Sequence, residues 1–528
     1  MKVMTALKAA ALASVFTLSV TAVQAQTLHI SNGGEPASLD PHRVSGTWEN
    51  RIVGDYIEGL VTEDASAEAI PGVAESWDIS EDGKVYTFHL REDAVWSDGE
   101  PVTAQDFVFS FQRLMNPETA AGYAYLQYTI LNAEAVNAGD MPVEELGVVA
   151  IDDRTLEITL ENPAPFFLQA LTHYTAYPVP QHVFEEFGEE WTRPENIVAN
   201  GAYIPVEWQP GSHIRSVKNE TFHDAENVQI EEVMYYPIDD LTAAVNRYRA
   251  GEFDWLTDFP ADQLSVLESN HPGEAHVAPY LGIHYYVFNQ NAEKLQDVNV
   301  RKALSMAINR EVIGESLWGT GELAAYSWVP PGTANYDGKE FRYDWADTPY
   351  NERVEEAKSL IEAAGYGPSN PLQLEIKYNT NDNHQRLAVA IAAMWEPLGV
   401  QTSFFNSEVA VHYDALQNND FDSVGRGGWI MDYNDPINML DLLKTGIDYN
   451  YGRYSNAEFD ELLNASAAET DLEARAAILL EAETMAMDEY AALPLAFYVS
   501  RNVISPRVEG FVDNASDIHR TRWMTKSE

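Results

Sequence analysis

The chain contains no cysteine. That excludes disulfides, thiolate metal sites and cysteine nucleophiles together. A chain of 528 residues needs no such staples, because its core can be large. Basic residues are scarce as well: 32 Lys and Arg stand against 83 Asp and Glu, for a formal net charge of −51. The acids are spread along the chain, as at Glu352, Glu355, Glu356, Asp420 and Asp422. They read as a solvated acidic surface, suited to salty surroundings where screening weakens self-repulsion. Such a surface repels nucleic acid, which removes that class of partner. Low-complexity linkers and repeats of fixed period are missing too. Length predicts two or three domains, joined by ordered segments.

Catalytic signatures are mostly absent. There is no Gly-x-Ser-x-Gly elbow, phosphate loop or His-Glu-x-x-His helix. Gly319-Thr-Gly321 lacks a third glycine and reads as a turn. Asp78 to Gly83 resembles the opening of a calcium loop, but His89 stands where the bidentate glutamate belongs. The 13 histidines never pair at helical ligand spacing, so neither metal nor cofactor is expected. So many acids make some carboxylate pair inevitable, which leaves a hydrolase open without positive support.

The chain starts like an export signal. Lys2 and Lys8 precede an apolar run from Ala9 to Val23, and Val23-Gln24-Ala25 offers small residues for cleavage after Ala25. That run is too short for a comfortable membrane span. No cysteine follows the cleavage point, so no lipid anchor is expected.

The remainder is mixed α/β. Alternating patterns predict strands at Val85–Leu90, Arg154–Leu160 and Leu372–Tyr378. Thr103 and Asp106 form a capping pair for a helix through Met115. Val300, Ala303, Leu304, Ala307 and Ile308 make an apolar helical stripe. Asn351–Ala364 reads as an amphipathic helix stopped by Gly365, and Leu472 to Met485 as a late helix. The aromatic runs Leu281–Phe288 and Ala496–Val503 suit two crossing strands of a hinge.

One segment, Arg426-Gly-Gly-Trp-Ile-Met-Asp-Tyr-Asn-Asp-Pro436, sets a single acid, Asp432, among Trp429, Ile430, Met431 and Tyr433. A carboxylate in such surroundings loses hydration and seeks a cation. No basic side chain lies between Ile430 and Pro436. An arbitrary loop acid is ordinarily solvated or caps a helix, so other parts of the chain must decide.

They do so by resemblance. Pro71-Gly-Val-Ala-Glu-Ser-Trp77, Val85 to Arg91, and Trp96-Ser-Asp-Gly-Glu-Pro-Val-Thr-Ala-Gln-Asp-Phe-Val108 resemble the signature of the family-5 extracellular solute-binding proteins. Similarity to the oligopeptide-binding branch continues through Ser38–His42, Asn200–Tyr203, Val245–Arg249, Tyr326–Pro331 and Pro494–Tyr498. The resemblance implies an α/β fold of the periplasmic binding protein-like kind (type II, cluster C). Two mixed lobes are joined by a two-strand hinge, with an extra inserted domain. It places 26–57, 181–281 and 500–528 in domain I, 58–180 in domain II and 282–499 in domain III.

The same resemblance implies a periplasmic receptor, acting as a monomer. It would capture short peptides with a free amino terminus and deliver them to an inner-membrane ABC permease complex. Dipeptides, murein peptides or a metal complex are alternative cargoes. Asp432 matches the acid that holds the ligand's ammonium, and Gly428 to Ile430 would pair with its main chain. Trp429 and Tyr498 would wall side-chain pockets. His384 and Arg426 match residues used near the ligand's carboxy terminus, and His173 matches a cleft histidine. Arg426 could instead form an internal ion pair, and His384 could be a surface residue at a helix start. Tyr123 and Tyr125 join the candidate lining, although such tyrosines are more often core. Departures from the pattern stand at Ser45, Val287, Val409 and Leu416. A cysteine pair of some relatives would fall at Gly282 and Ile430. These departures bear on ligand length and side-chain taste.

Overall fold

A computed structural model describes residues 26–336 and 338–527. The expected export signal lies outside the described residues, as does the side chain of Val409. Local patterning is followed closely where it was strongest. Val85–Leu90 is a strand whose side chains alternate between core and surface. The helix Ala104–Met115 starts at Thr103, whose backbone N–H donates to Asp106 Oδ2 at 2.8 Å. Tyr350–Ala363 is helical and ends at Gly365, whose φ of +88° suits glycine.

The backbone of the molecule is an 11-stranded mixed sheet. Its strands are β1 (Thr27–Gly33), β2 (Tyr203–Gln209), β3 (His213–Lys218), β4 (Glu232–Pro237) and β5 (Trp255–Leu256). They continue as β6 (Ala275–Phe288), β7 (Leu372–Asn379), β8 (Val400–Ser407), β9 (Val424–Ile430) and β10 (Leu493–Ile504). Their spatial order is β8-β7-β9-β6-β10-β5-β1-β4-β3-β2, with Leu323–Ala324 also pairing β10. A separate four-stranded antiparallel sheet joins Ala74–Ile79, Val85–Leu90, Thr155–Thr159 and Val148–Asp152.

Strands β6 and β10 are the long aromatic runs, and they connect the two halves of the main sheet. They are antiparallel, but five residues from Pro279 to Ile283 face only three from Phe497 to Val499. This bulge breaks the ladder where the halves meet and bends the strands there. One buried core gathers side chains from Leu281 to Phe497; another gathers Leu28 to Tyr235 and closes with Ile504, Val508 and Met524.

Helix α1 (Thr47–Tyr56) opens the chain's first βα unit, and Glu49 accepts from the backbone N–H groups of Ala37, Ser45 and Gly46. Helix α2 (Asp382–Trp395) follows β7 and is capped by Asn381. The short α3 (Pro436–Leu440) follows β9, capped by Asp435, and packs on α4 (Leu472–Asp488). Arg475 of α4 donates two hydrogen bonds of 2.7 Å to Asp435, with both side chains almost fully buried. Removing one member leaves a buried, unpaired charge, so Arg475→Ala should cost about 3–5 kcal/mol in urea unfolding. A loss within error of zero would show that the pair does not hold this corner.

Candidate functional site

Strand β9 creates an open edge inside the molecule. It pairs with β6 along its whole length, from Val424 opposite Phe288 to Ile430 opposite Gly282. On its other side β7 meets only Val424 and Gly425. Met431 N–H donates to Leu281 O at 2.7 Å. By the two-residue alternation of a strand, Trp429 and Gly427 therefore also turn their backbone toward β6. Arg426, Gly428 and Ile430 present theirs to the open side. The Arg426 carbonyl is already taken by His412 Nε2 at 2.8 Å. Gly428 and Ile430 are left to offer backbone groups to an added strand.

The glycines here are dictated by close approach. A Cβ on Gly427 would lie 2.4 Å from the Tyr285 ring, and one on Gly428 would lie 2.7 Å from Arg426 Nη2. Arg426 itself is buried, and its donors go to Tyr413 OH (2.9 Å), Tyr498 OH (3.3 Å) and Asn379 Oδ1 (3.4 Å). It forms no ion pair among the described residues, and its Nε has no partner. The internal-pair reading is thereby excluded. His384 sits in the first turn of α2, half-buried, with Nδ1 3.2 Å from Asn379 O. Burial, reinforced by the Arg426 charge, holds its pKa down at about 4. His384 therefore starts a helix and lies within the field of the Arg426 guanidinium. His284 packs against Tyr498 with tilted rings, centroids 3.8 Å apart.

Past the other end of the edge lies Asp432. Asn438 of α3 donates to its Oδ2 at 3.3 Å, while Asn438 Oδ1 accepts from Asp432 N–H (3.2 Å) and Trp429 Nε1 (3.4 Å). The carboxylate keeps one side open to a cavity of about 190 Å³ that Tyr123 and His173 also line. Protein atoms crowd its remaining sides, and no described cation pairs with it. Burial, only partly offset by the Asn438 bond, pushes its pKa up to about 6. Burial together with the Asp432 charge pushes the Tyr123 hydroxyl up to about 12.

Aromatic contacts cross from the first core to the second around this acid. Phe166 stacks on Tyr433 at 5.0 Å, Tyr125 meets Tyr449 at 6.0 Å, and Tyr449 meets Trp429 edge-on at 5.0 Å. His173 is packed on Tyr174, 3.9 Å between centroids. Of the residues singled out from the sequence, Tyr123, His173, Ile430 and Asp432 line this cavity, and Tyr125 and Trp429 pack beside it through Tyr449. Tyr498 and Ile430 face an adjoining cavity. Sequence reasoning missed Asn438, Tyr449, His412 and Tyr413. Their only signal was position shortly after β9 or on the helix before it. Of the departures, Ser45 lines the cavity, whereas Leu416 and Val287 are buried against Gly425. Gly282 and Ile430 are cross-strand partners.

Residues 68–451 match the sequence profile described as bacterial extracellular solute-binding proteins, family 5 Middle. This chain belongs to that family. The periplasmic oligopeptide-binding protein OppA of Escherichia coli K12 is 40% identical to this family-5 chain, covering 95% of it and 92% of OppA. The solved Escherichia coli murein tripeptide binding protein MppA is 36% identical, covers 96% and 99% of the two chains, and superposes with a TM-score of 0.82. Haemophilus influenzae OppA, solved with the peptide RPPGFSPFR, is 34% identical with the same coverage and a TM-score of 0.81. The family-5 chain is mixed α/β, as these relatives imply.

The raised pKa of Asp432 has a definite sign. The native state keeps its proton up to about pH 6, whereas the unfolded chain releases it near 4. Ligand-free stability should therefore fall by up to about 3 kcal/mol as pH rises through that window. Asp432→Asn should abolish this part of the pH dependence and stabilise the ligand-free protein at pH 7. Urea unfolding across pH 4–7 checks it; parallel curves for both proteins would contradict the assignment.

Proposed function

We propose that this protein is a periplasmic receptor that captures short peptides with a free amino terminus and delivers them to an inner-membrane ABC importer. The observation that carries this reading is Asp432, a sequestered carboxylate without a cation, beside an unoccupied strand edge that leads to Arg426. A ligand ammonium at Asp432 supplies the missing charge. Its main chain adds to β9 through Gly428 and Ile430, antiparallel to that strand. Its carboxylate then reaches Arg426 and His384. Because the Arg426 carbonyl is occupied, the edge accommodates roughly three or four residues at about 3.4 Å each.

The relatives named for oligopeptides and a murein tripeptide support a peptide as cargo. The two cores on either side of the β6–β10 crossing support separating domain III (282–499) from the rest, which is divided by family likeness into domain I (26–57, 181–281, 500–528) and domain II (58–180). Closure brings Phe166 and Tyr125 onto Tyr433 and Tyr449, sealing the amino-terminal end of the ligand from water. The receptor works as a monomer, cleaved after Ala25 and free of lipid. It leaves its ligand chemically unchanged.

Calorimetry with Ala-Ala-Ala and its N-acetylated form tests the reading. Acetylation, or Asp432→Asn with the free peptide, should cost at least about 2–5 kcal/mol in affinity. Equal retention of both forms would overturn the anchor, and recovery of cleaved peptide would overturn the receptor.

A further inference from the structure

A second unpaired charge shares the cleft with Asp432. Arg51 projects from α1 into the same cavity and also lines the adjoining one beside Tyr498. It is only 9% exposed, and its guanidinium lies 4.9 Å above the Trp255 ring. One nitrogen, Nη1, donates to Asn32 Oδ1 at 2.7 Å. No described carboxylate forms an ion pair with it, and its remaining N–H groups open onto the cavities.

The other ionised groups around the first cavity are already committed. Arg520 pairs with Glu63 at 3.4 Å and also holds Asn50 and Tyr177. Asp517, the acid whose charge most affects Arg51, is held by Asn502 at 2.9 Å and by His519 at 3.0 Å. In the adjoining cavity Arg501 pairs with Asp258 at 2.8 Å, and Asp239 faces solvent. Ser45, Thr47, Asn50 and Gln169 on the cavity wall are neutral. Asp432 and Arg51 thus face a common space without an ion pair to either among the described residues, and Asp517 lines the same space held by Asn502 and His519.

A guanidinium taken out of water and given one hydrogen bond is costly unless an anion completes its fork. Its flat face is held by Trp255 and one edge by Asn32, so the fork is fixed in place, and planar bidentate acceptors suit it best. We propose that Arg51 forms an anion-reading subsite that selects ligands bearing a side-chain carboxylate within the first two residues. This rests on the peptide reading above, in which Asp432 takes the ammonium at the head of the same cavity. The cleft would thus favour acidic peptides although the protein's surface is strongly acidic. The preference is set by local pairing, and the overall field opposes it.

Calorimetry on the whole mature protein compares Ala-Glu-Ala with Ala-Gln-Ala and Glu-Ala-Ala with Gln-Ala-Ala, with Ala-Ala-Ala as reference. In at least one pair the acidic peptide should bind about tenfold more tightly or better. Arg51→Gln should bring that ratio below about threefold, and Arg51→Lys, which keeps the charge without the fork, should leave it intermediate. The wild-type comparison stands alone if a variant does not fold. Binding of Ala-Ala-Ala without any acid preference, or a preference that survives Arg51→Gln, overturns the subsite alone. Failure of all five peptides to bind overturns the receptor reading and the subsite with it.

Discussion

A carboxylate held away from water without a counter-charge is the constraint on which the cleft depends. Asp432 is costly to the folded protein by itself. Its surroundings make sense as the means of holding it there. Asn438 fixes its orientation from one side through both its own amide groups. The Asp435–Arg475 pair pins the turn that carries it, and Asn434 accepts from Ala334 N–H on the far side of the same turn. A loop free to relax would swing the acid into solvent. This one is tied at three points.

The same logic shapes the strand beside it. Residue 427 is held to glycine by the Tyr285 ring, and a Cβ at 428 would displace the Tyr498 hydroxyl and the Arg426 guanidinium. Arg426 is packed among neutral tyrosines instead of against an acid, which leaves its charge uncompensated within the protein. An open strand edge with opposite unpaired charges at its two ends has a built-in polarity. It distinguishes the two directions in which an extended chain could lie.

Charge is distributed unevenly through the molecule. Basic residues are few, yet Arg51, Arg113, Arg310, Arg426, Arg475 and Arg520 are all buried. Most of these are spent on structure: Arg113 on Asp40, Arg310 on main-chain carbonyls, Arg475 on Asp435. The exterior keeps a large excess of acids. Arg51, Arg310 and Arg426 have no carboxylate partner among the described residues; carbonyls satisfy Arg310, whereas Arg51 lines the cleft and Arg426 sits on the strand beside it.

Much of the fold was legible from local pattern. The strand at 85–90, the capped helix ending at Met115, the helix stopped at Gly365 and the two long aromatic strands all follow from periodicity and capping, which are short-range properties of the chain. The acid in its apolar setting was legible too, as was family membership through the motifs around Trp77 and Trp96. Other features were not. That β7 leaves β9 after Gly425, that Asn438 turns back onto Asp432, and that Tyr125 meets Tyr449 are all set by packing between distant segments. Whether Arg426 or Arg51 carries a partner is decided likewise, since their neighbours come from separate elements, such as Asn379 and Tyr498 around Arg426 and Trp255 beneath Arg51. Local pattern was enough for the elements and for which residues could bear charge in apolar surroundings. Which of those charges remain unpaired emerges only in the folded molecule, because pairing depends on three-dimensional distance, and no local pattern encodes it.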